Sequence, residues 1–212
     1  MDVFEDRVDA GRRLADRLGH LRGGDVVVLG LPRGGVPVAA EVAAALGAPL
    51  DVLVVRKLGV PFQPELAMGA IGEEGTRVLD ETLVARLRVD PETLREVEER
   101  ERAVLTGRVA RLRAGHKAVP LAGRTAVVVD DGVATGATAR AACLVARQRG
   151  AARVVLAVPV APAEQVDGFP GADEVVTVLA PADLVAVGQF YRHFDATSED
   201  AVVRLLAASR PA

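Results

Sequence analysis

The sequence predicts an α/β fold: an open, mostly parallel, twisted sheet flanked by helices. Three observations carry that prediction. Apolar runs such as "DVVVLGLP" and "TAVVVDD" are short and do not alternate, as expected of strands buried on both faces. Stretches with helical spacing lie between these runs. The runs at 25–32 and 50–57 enclose one such stretch, giving a strand–helix–strand unit that requires parallel pairing and a right-handed crossover.

Residues 4–21 open the chain as an amphipathic helix, with Phe4, Val8, Leu14, Leu18 and Leu21 at mostly helical spacing. The first strand, 25–32, leads into a helix over 36–47, with Pro37 in its first turn and Gly47 as its stop. "LDVLVVRK" (50–57) is the next strand, and 65–80 reads as a hairpin turning at "GEEG". Asp90-Pro91 opens a long helix to about Arg113. Its apolar positions are sparse, so it is expected to be solvated and held by i,i+4 ion pairs. A core strand at 125–131, a helix over 137–150 stopped by Gly150, strands at 153–160 and 174–179, and a last helix near 198–208 complete the order. We expect one domain over 1–212, with a core at about 25–160, a lid region at about 58–117, and a small subdomain from about 161–212 with the opening helix.

With 50% hydrophobic and 26% charged residues, the chain has a globular composition, and with 3% aromatics its core must be built from Val, Leu and Ala. A net charge of −3 gives no electrostatic footprint for nucleic acid or an anionic membrane. The single Cys143 excludes an intramolecular disulfide or a cysteine-based zinc site, and its Ala-rich helix suggests a buried, inert thiol. The charged N-terminus has no signal-peptide pattern, and no apolar run approaches a membrane span, so we expect a cytoplasmic protein. A homodimer is also expected.

The informative stretch is "VVVDDGVATGAT" (127–138), in which a buried strand runs directly into Asp130 and Asp131. Ligands of open parallel sheets bind at the carboxyl ends of strands. Thr135, Gly136, Ala137 and Thr138 then wrap the start of the next helix, where backbone N–H groups and the helix dipole favour an anion. Carboxylates for vicinal hydroxyls beside a phosphate cradle fit a ribose 5-phosphate. Paired acids could instead hold a metal, although such chemistry usually places its lead aspartate after the first strand. A P-loop is excluded, because no lysine follows Gly-Ala-Thr.

This stretch resembles the phosphoribosyl pyrophosphate (PRPP) signature of the type I phosphoribosyltransferases. Two further segments agree with the resemblance. "GLPRGGVP" (30–37) is similar to the family's pyrophosphate loop, with Arg33 as its basic residue and Gly34-Gly35 able to take positive φ and turn N–H groups inward. Arg56-Lys57, at the end of the second strand, is similar to the pair that precedes the family's flexible catalytic loop and contacts pyrophosphate.

The resemblance implies displacement of pyrophosphate from PRPP by a nitrogenous base, with inversion at the anomeric carbon. Arg33, Arg56 and Lys57 would neutralise the leaving group. Asp130 and Asp131 would hold the ribose hydroxyls, Asp131 favouring the cationic sugar. Residues Ala134 to Thr138 would bind the 5-phosphate. Mg²⁺ would arrive with PRPP, reaching Asp130 and Asp131 through water rather than by direct ligation. The 58–117 region would close over the site, and the terminal subdomain, or hood, would hold the base. Ala134 stands where 6-oxopurine enzymes usually carry an aspartate, which argues against hypoxanthine or guanine. Val187, Gly188, Phe190 and Tyr191, within the chain's one aromatic cluster, are the candidate base-binding residues. Two other readings stay open: a PRPP-responsive regulator with this fold, and an enzyme acting on a non-nucleobase amine.

Overall fold

A computed structural model of the chain describes residues 3–114 and 116–209, without the side chains of 64 and 65. The expected domain limits at 1 and 212 lie outside the described residues. Strands β1 (Val26–Gly30), β2 (Leu50–Val52), β6 (Thr125–Val129), β7 (Arg153–Val160) and β8 (Glu174–Leu179) form one parallel sheet in the order β2-β1-β6-β7-β8. Its faces follow from alternation along each strand. Val26 and Val28 join a core with Leu14 of α1 (Arg7–Arg17), Leu18 just after it, and Val38 and Val42 of α2 (Gly35–Leu46). Val27 and Leu29 join another with Ala142, Cys143 and Val145 of α5 (Ala137–Gln148). Cys143 is fully buried, and burial pushes its thiol pKa up to about 12, as expected of an inert core group.

Three predicted elements change. The opening helix begins only at Arg7, because the Asp6 carboxylate accepts from the N–H groups of Val8 and Asp9 and so caps it there. Phe4 instead pairs as a bridge with Tyr191, joining the chain's two ends in a small core with Phe190. The strand read over 50–57 breaks at Leu53-Val54. Its second half becomes β3 (Val55–Val60), part of a separate antiparallel sheet with β4 (Gln63–Gly72) and β5 (Arg77–Leu79). Nothing in the uninterrupted apolar run marks that break.

The long helix α4 (Pro91–Arg113) is capped by Asp90 as predicted, but it is not simply solvated. Val97, Leu105 and Leu112 are buried in the main core. Its ion pairs run mostly to other elements: Glu98 to Arg77, Glu101 to Arg56, and Arg111 to Glu199 of α6 (Glu199–Ala208). A further short helix, α3 (Glu81–Arg86), is capped by Asp80. Much of the 58–117 region is therefore packed chain, with Leu58, Met68, Ile71 and Leu83 in the main core and Phe62 at the β3–β4 tip 69% exposed. No helix among the described residues is long and apolar enough to cross a membrane.

Candidate active site at the sheet switch point

Neighbouring β1 and β6 send their chains to opposite faces of the sheet, β1 into α2 and β6 into α5. A crevice opens at the carboxyl ends of strands where the winding reverses in this way. Both sequence-predicted loops start there. They touch: Leu31 N–H donates to the Val129 carbonyl at 2.8 Å. A Cβ on Gly34 would lie 2.0 Å from Asp131 Oδ2, and one on Gly35 would lie 2.6 Å from the Val129 carbonyl oxygen. Gly35 is thus required by the close approach of backbone, and a side chain at Gly34 would displace the Asp131 carboxylate. The expected positive φ is not what they supply, since Gly34 has φ −64° and Gly35 already begins α2.

Asp130 and Asp131 sit side by side just beyond β6, as predicted, but in different surroundings. The Asp130 carboxylate accepts the Asp131 N–H at 2.9 Å. Burial, and then the charge of Asp131, raise its pKa well above the ordinary aspartate value. Asp131 has a cation. Arg7 Nε and Nη2 reach its Oδ2 at 2.9 and 2.8 Å, while Arg7 Nη1 donates to the Asp195 carbonyl at 2.7 Å. The guanidinium also lies 4.0 Å from the centre of the Phe194 ring, a cation–π contact. Sequence reasoning missed Arg7, because nothing in "DRVDAGRR" separates it from the other arginines of that helix.

The turn from Ala134 to Thr138 leads into α5 through a left-handed glycine. Gly136 has φ 77°, and a Cβ there would lie 2.8 Å from Gln165 Oε1. The helix α5 begins at Ala137 without any side-chain cap, so its first N–H groups point outward unclaimed by a capping side chain. Gln165 Nε2 fixes the turn by donating to the Ala134 carbonyl at 3.0 Å. A cavity of about 730 Å³ adjoins the turn, lined by Thr135, Gly136, Ala137, Arg140, Ala70 and Phe169 among others.

The cations are arranged differently from the sequence reading. Arg33 is exposed on its loop. Arg56 and Lys57 do not close a strand of the parallel sheet; they open β3, and alternation sends them to opposite faces. Arg56 faces α4, where Glu101 holds it at 2.6 and 2.8 Å. Lys57 is in register with Ala70, whose core includes α5.

The predicted base-reading aromatics are packing groups. Phe190 and Tyr191 are each 7% exposed. The Tyr191 ring lies 5.2 Å from Phe4 and 4.8 Å from Phe194, and its hydroxyl donates to the Asp131 carbonyl at 2.6 Å. Neither ring is presented for stacking. Val187 and Gly188 are half-buried nearby; a Cβ on Gly132 would meet Val187 at 2.5 Å, which puts this turn directly over the signature loop.

The chain shares 60% identity over 207 residues with a Mycobacterium tuberculosis (strain H37Rv) protein named "Putative phosphoribosyl transferase Rv0571c", and the same figures hold for its counterpart in strain CDC 1551. The match covers 97% of this chain and 47% of each relative, so the chain spans about half the length of the curated relatives it matches. The crystal structure of TT1426 from Thermus thermophilus superposes with a TM-score of 0.91 at 45% identity, covering all of both chains. Residues 5–168, which include both loops and both acids, match the phosphoribosyl transferase domain, and the chain belongs to that enzyme family.

Proposed function

We propose that the protein transfers the 5-phosphoribosyl group of PRPP to a nitrogenous acceptor and releases pyrophosphate. The observation that carries this reading is the meeting of the acid pair, the uncapped α5 N-terminus and the Arg33 loop at the single switch point between β1 and β6. The cradle at Thr135–Thr138 takes the 5-phosphate. Arg7 occupies Asp131 Oδ2, which leaves Oδ1 and the Asp130 carboxyl to accept the ribose hydroxyls. The bond from the anomeric carbon to pyrophosphate breaks as positive charge grows on the sugar, and the acceptor nitrogen bonds to the opposite face, losing its proton to solvent. Charge stabilisation and alignment are what the protein contributes. Arg33 and Arg56 offset charge on the departing pyrophosphate, Arg56 being oriented by Glu101 on the α4 side of β3 while Lys57 lies on the opposite face.

Two adjacent carboxylates, one already bonded to an arginine, do not make a complete metal cage; they suit an Mg²⁺ held mainly by pyrophosphate and water, with Asp130 or Asp131 beyond a water. When bound, that ion would neutralise pyrophosphate charge. Closure over the site falls to the β3–β4 tip around Phe62. Ala134 gives the acceptor no side-chain carboxylate, which favours an acceptor other than a 6-oxopurine.

Incubating the protein with Mg-PRPP and a panel of bases and amines, read by pyrophosphate release, tests the reaction. Asp131→Asn should weaken Mg-PRPP binding at least ~10-fold, about 1.4 kcal/mol, alongside a modest fall in Tm from the weakened Arg7 pair. Unchanged affinity with a lowered Tm would make Asp131 structural and remove the ribose assignment.

A further inference from the structure

Helix α4 reaches the site at a position that neither sequence nor resemblance marks. Glu101 and Arg108 are seven residues apart, two turns, and lie on one line of the helix. Glu101 holds Arg56. Arg108 Nη2 donates to the Pro32 carbonyl at 2.9 Å, and the next residue is Arg33. One helix face therefore brings a third guanidinium to the loop and the strand that carry the two arginines of the pyrophosphate end.

Arg108 is half-buried, and among the described residues only that one carbonyl accepts from its five N–H donors. Glu199, the acid whose charge acts on Arg108, is bonded to Arg111 at 2.9 Å. Burial, and then the positive charges of Arg56 and Arg33, pull the Arg108 pKa below its ordinary value, against the opposing pull of Glu199. Gathering like charges around one loop is unfavourable unless an anion joins them. Planar guanidinium groups suit phosphate oxygens in particular.

We propose that Arg108 is a further pyrophosphate-binding cation: the Pro32 carbonyl fixes its guanidinium, and its remaining N–H donors join Arg33 on the anion. This rests on the phosphoribosyl reading of the site. A purely structural Arg108 would only pin the loop, so its loss would lower Tm without ligand; a ligand-selective loss at unchanged Tm marks the direct contact.

Calorimetric titration of wild type, Arg108→Gln and Arg108→Lys with Mg-PRPP, Mg-pyrophosphate and ribose 5-phosphate provides the test. The glutamine variant should bind PRPP and pyrophosphate ~10-fold more weakly and ribose 5-phosphate within ~2-fold of wild type, and lysine, which keeps the charge but not the fork, should restore part of the loss. Equal losses for all three ligands, or none, overturn the proposal. If wild type binds pyrophosphate but not PRPP, the transfer reading fails while the Arg108 comparison still stands on pyrophosphate; if it binds neither, both fail. Should the glutamine variant not fold, ¹⁵N spectra of arginine side chains in wild type decide. The Arg108 Nε signal, assigned by its absence from the lysine variant, should shift with pyrophosphate and stay in place with ribose 5-phosphate. A signal that ignores pyrophosphate refutes the contact.

Discussion

Two clusters in this protein each set two carboxylates against one arginine inside the fold, and they are built to opposite ends. In the first, Arg113 at the end of α4 donates to both Asp51 and Glu73 and to the Val52 carbonyl. Asp51 accepts in addition from the N–H groups of Val52 and Val119, both at 2.8 Å. Burial acts to lower the Arg113 pKa, but the hydrogen bond to Glu73 and the charge of Asp51 outweigh it and raise the value. In the second, Arg7 bonds Asp131 but not Asp130, and Asp130 is left with one backbone N–H and a neighbouring negative charge. A fully satisfied network ties α4, β2 and the β4–β5 turn together. An under-satisfied one keeps hydrogen-bonding capacity for something that is not protein.

If that contrast is right, the largest effect on folding should come from the satisfied cluster. Arg113→Ala leaves Asp51 and Glu73, 0% and 6% exposed, without their cation. Loss of one partner from a buried ion pair costs about 3–5 kcal/mol. Denaturant unfolding should show a loss of that size, while the molecules that remain folded keep wild-type affinity for Mg-PRPP. A loss below ~1 kcal/mol would mean that the network does not hold α4 in place.

The second cluster should respond with the opposite sign. An aspartate whose folded-state pKa is raised binds a proton in the native chain at pH values where the unfolded chain has released it. Its contribution to stability therefore falls as pH rises above the unfolded value near 3.8, through the folded pKa. Asp130→Asn keeps an acceptor for the Asp131 N–H and removes the charge. At neutral pH it should stabilise the protein by on the order of 1 kcal/mol, a rise in Tm of roughly 2–4 °C. The gain should shrink toward zero near pH 4, and turnover should fall. Melting curves of both proteins across pH 4–8 check this; a variant less stable at pH 7 than wild type would show that Asp130 is satisfied after all.

What the sequence made legible follows the same division. Asp130, Asp131 and the Thr135–Thr138 turn form one contiguous string, so strand, acids and helix start can be recognised together. The Asp51–Glu73–Arg113 network cannot be seen that way, because its members are separated by 62 and 40 residues and each looks like an ordinary surface charge. Arg7 was hidden for a related reason, being one of several arginines in a helix whose apolar face was the only strong signal. The pairing of Arg56 with Lys57 misled because adjacency in sequence becomes opposition across a strand. Gly34 and Gly35 were marked for a conformational reason, whereas what the structure shows is crowding by a neighbouring loop that no local pattern reveals.

The smallest effect should come from Tyr191, which connects the aromatic hood to the acid pair. Tyr191→Phe keeps the ring between Phe4 and Phe194 and deletes only the hydroxyl that donates to the Asp131 carbonyl. A hydrogen bond of this kind contributes roughly 0.5–1.5 kcal/mol. Because Asp131 is only half-buried, water can replace the lost donor, and about 0.5 kcal/mol is expected. The phenol is itself unusual, since burial and then the Asp131 charge push its pKa far above the ordinary tyrosine value, so it stays a donor throughout the working pH range. The variant should therefore unfold almost with wild type and keep its acceptor profile, while PRPP affinity drops ~2-fold as the Asp131 loop loosens. A changed acceptor profile with unchanged PRPP affinity would return Tyr191 to the base-reading role, and would place ligand recognition in the hood rather than in the loops at the switch point.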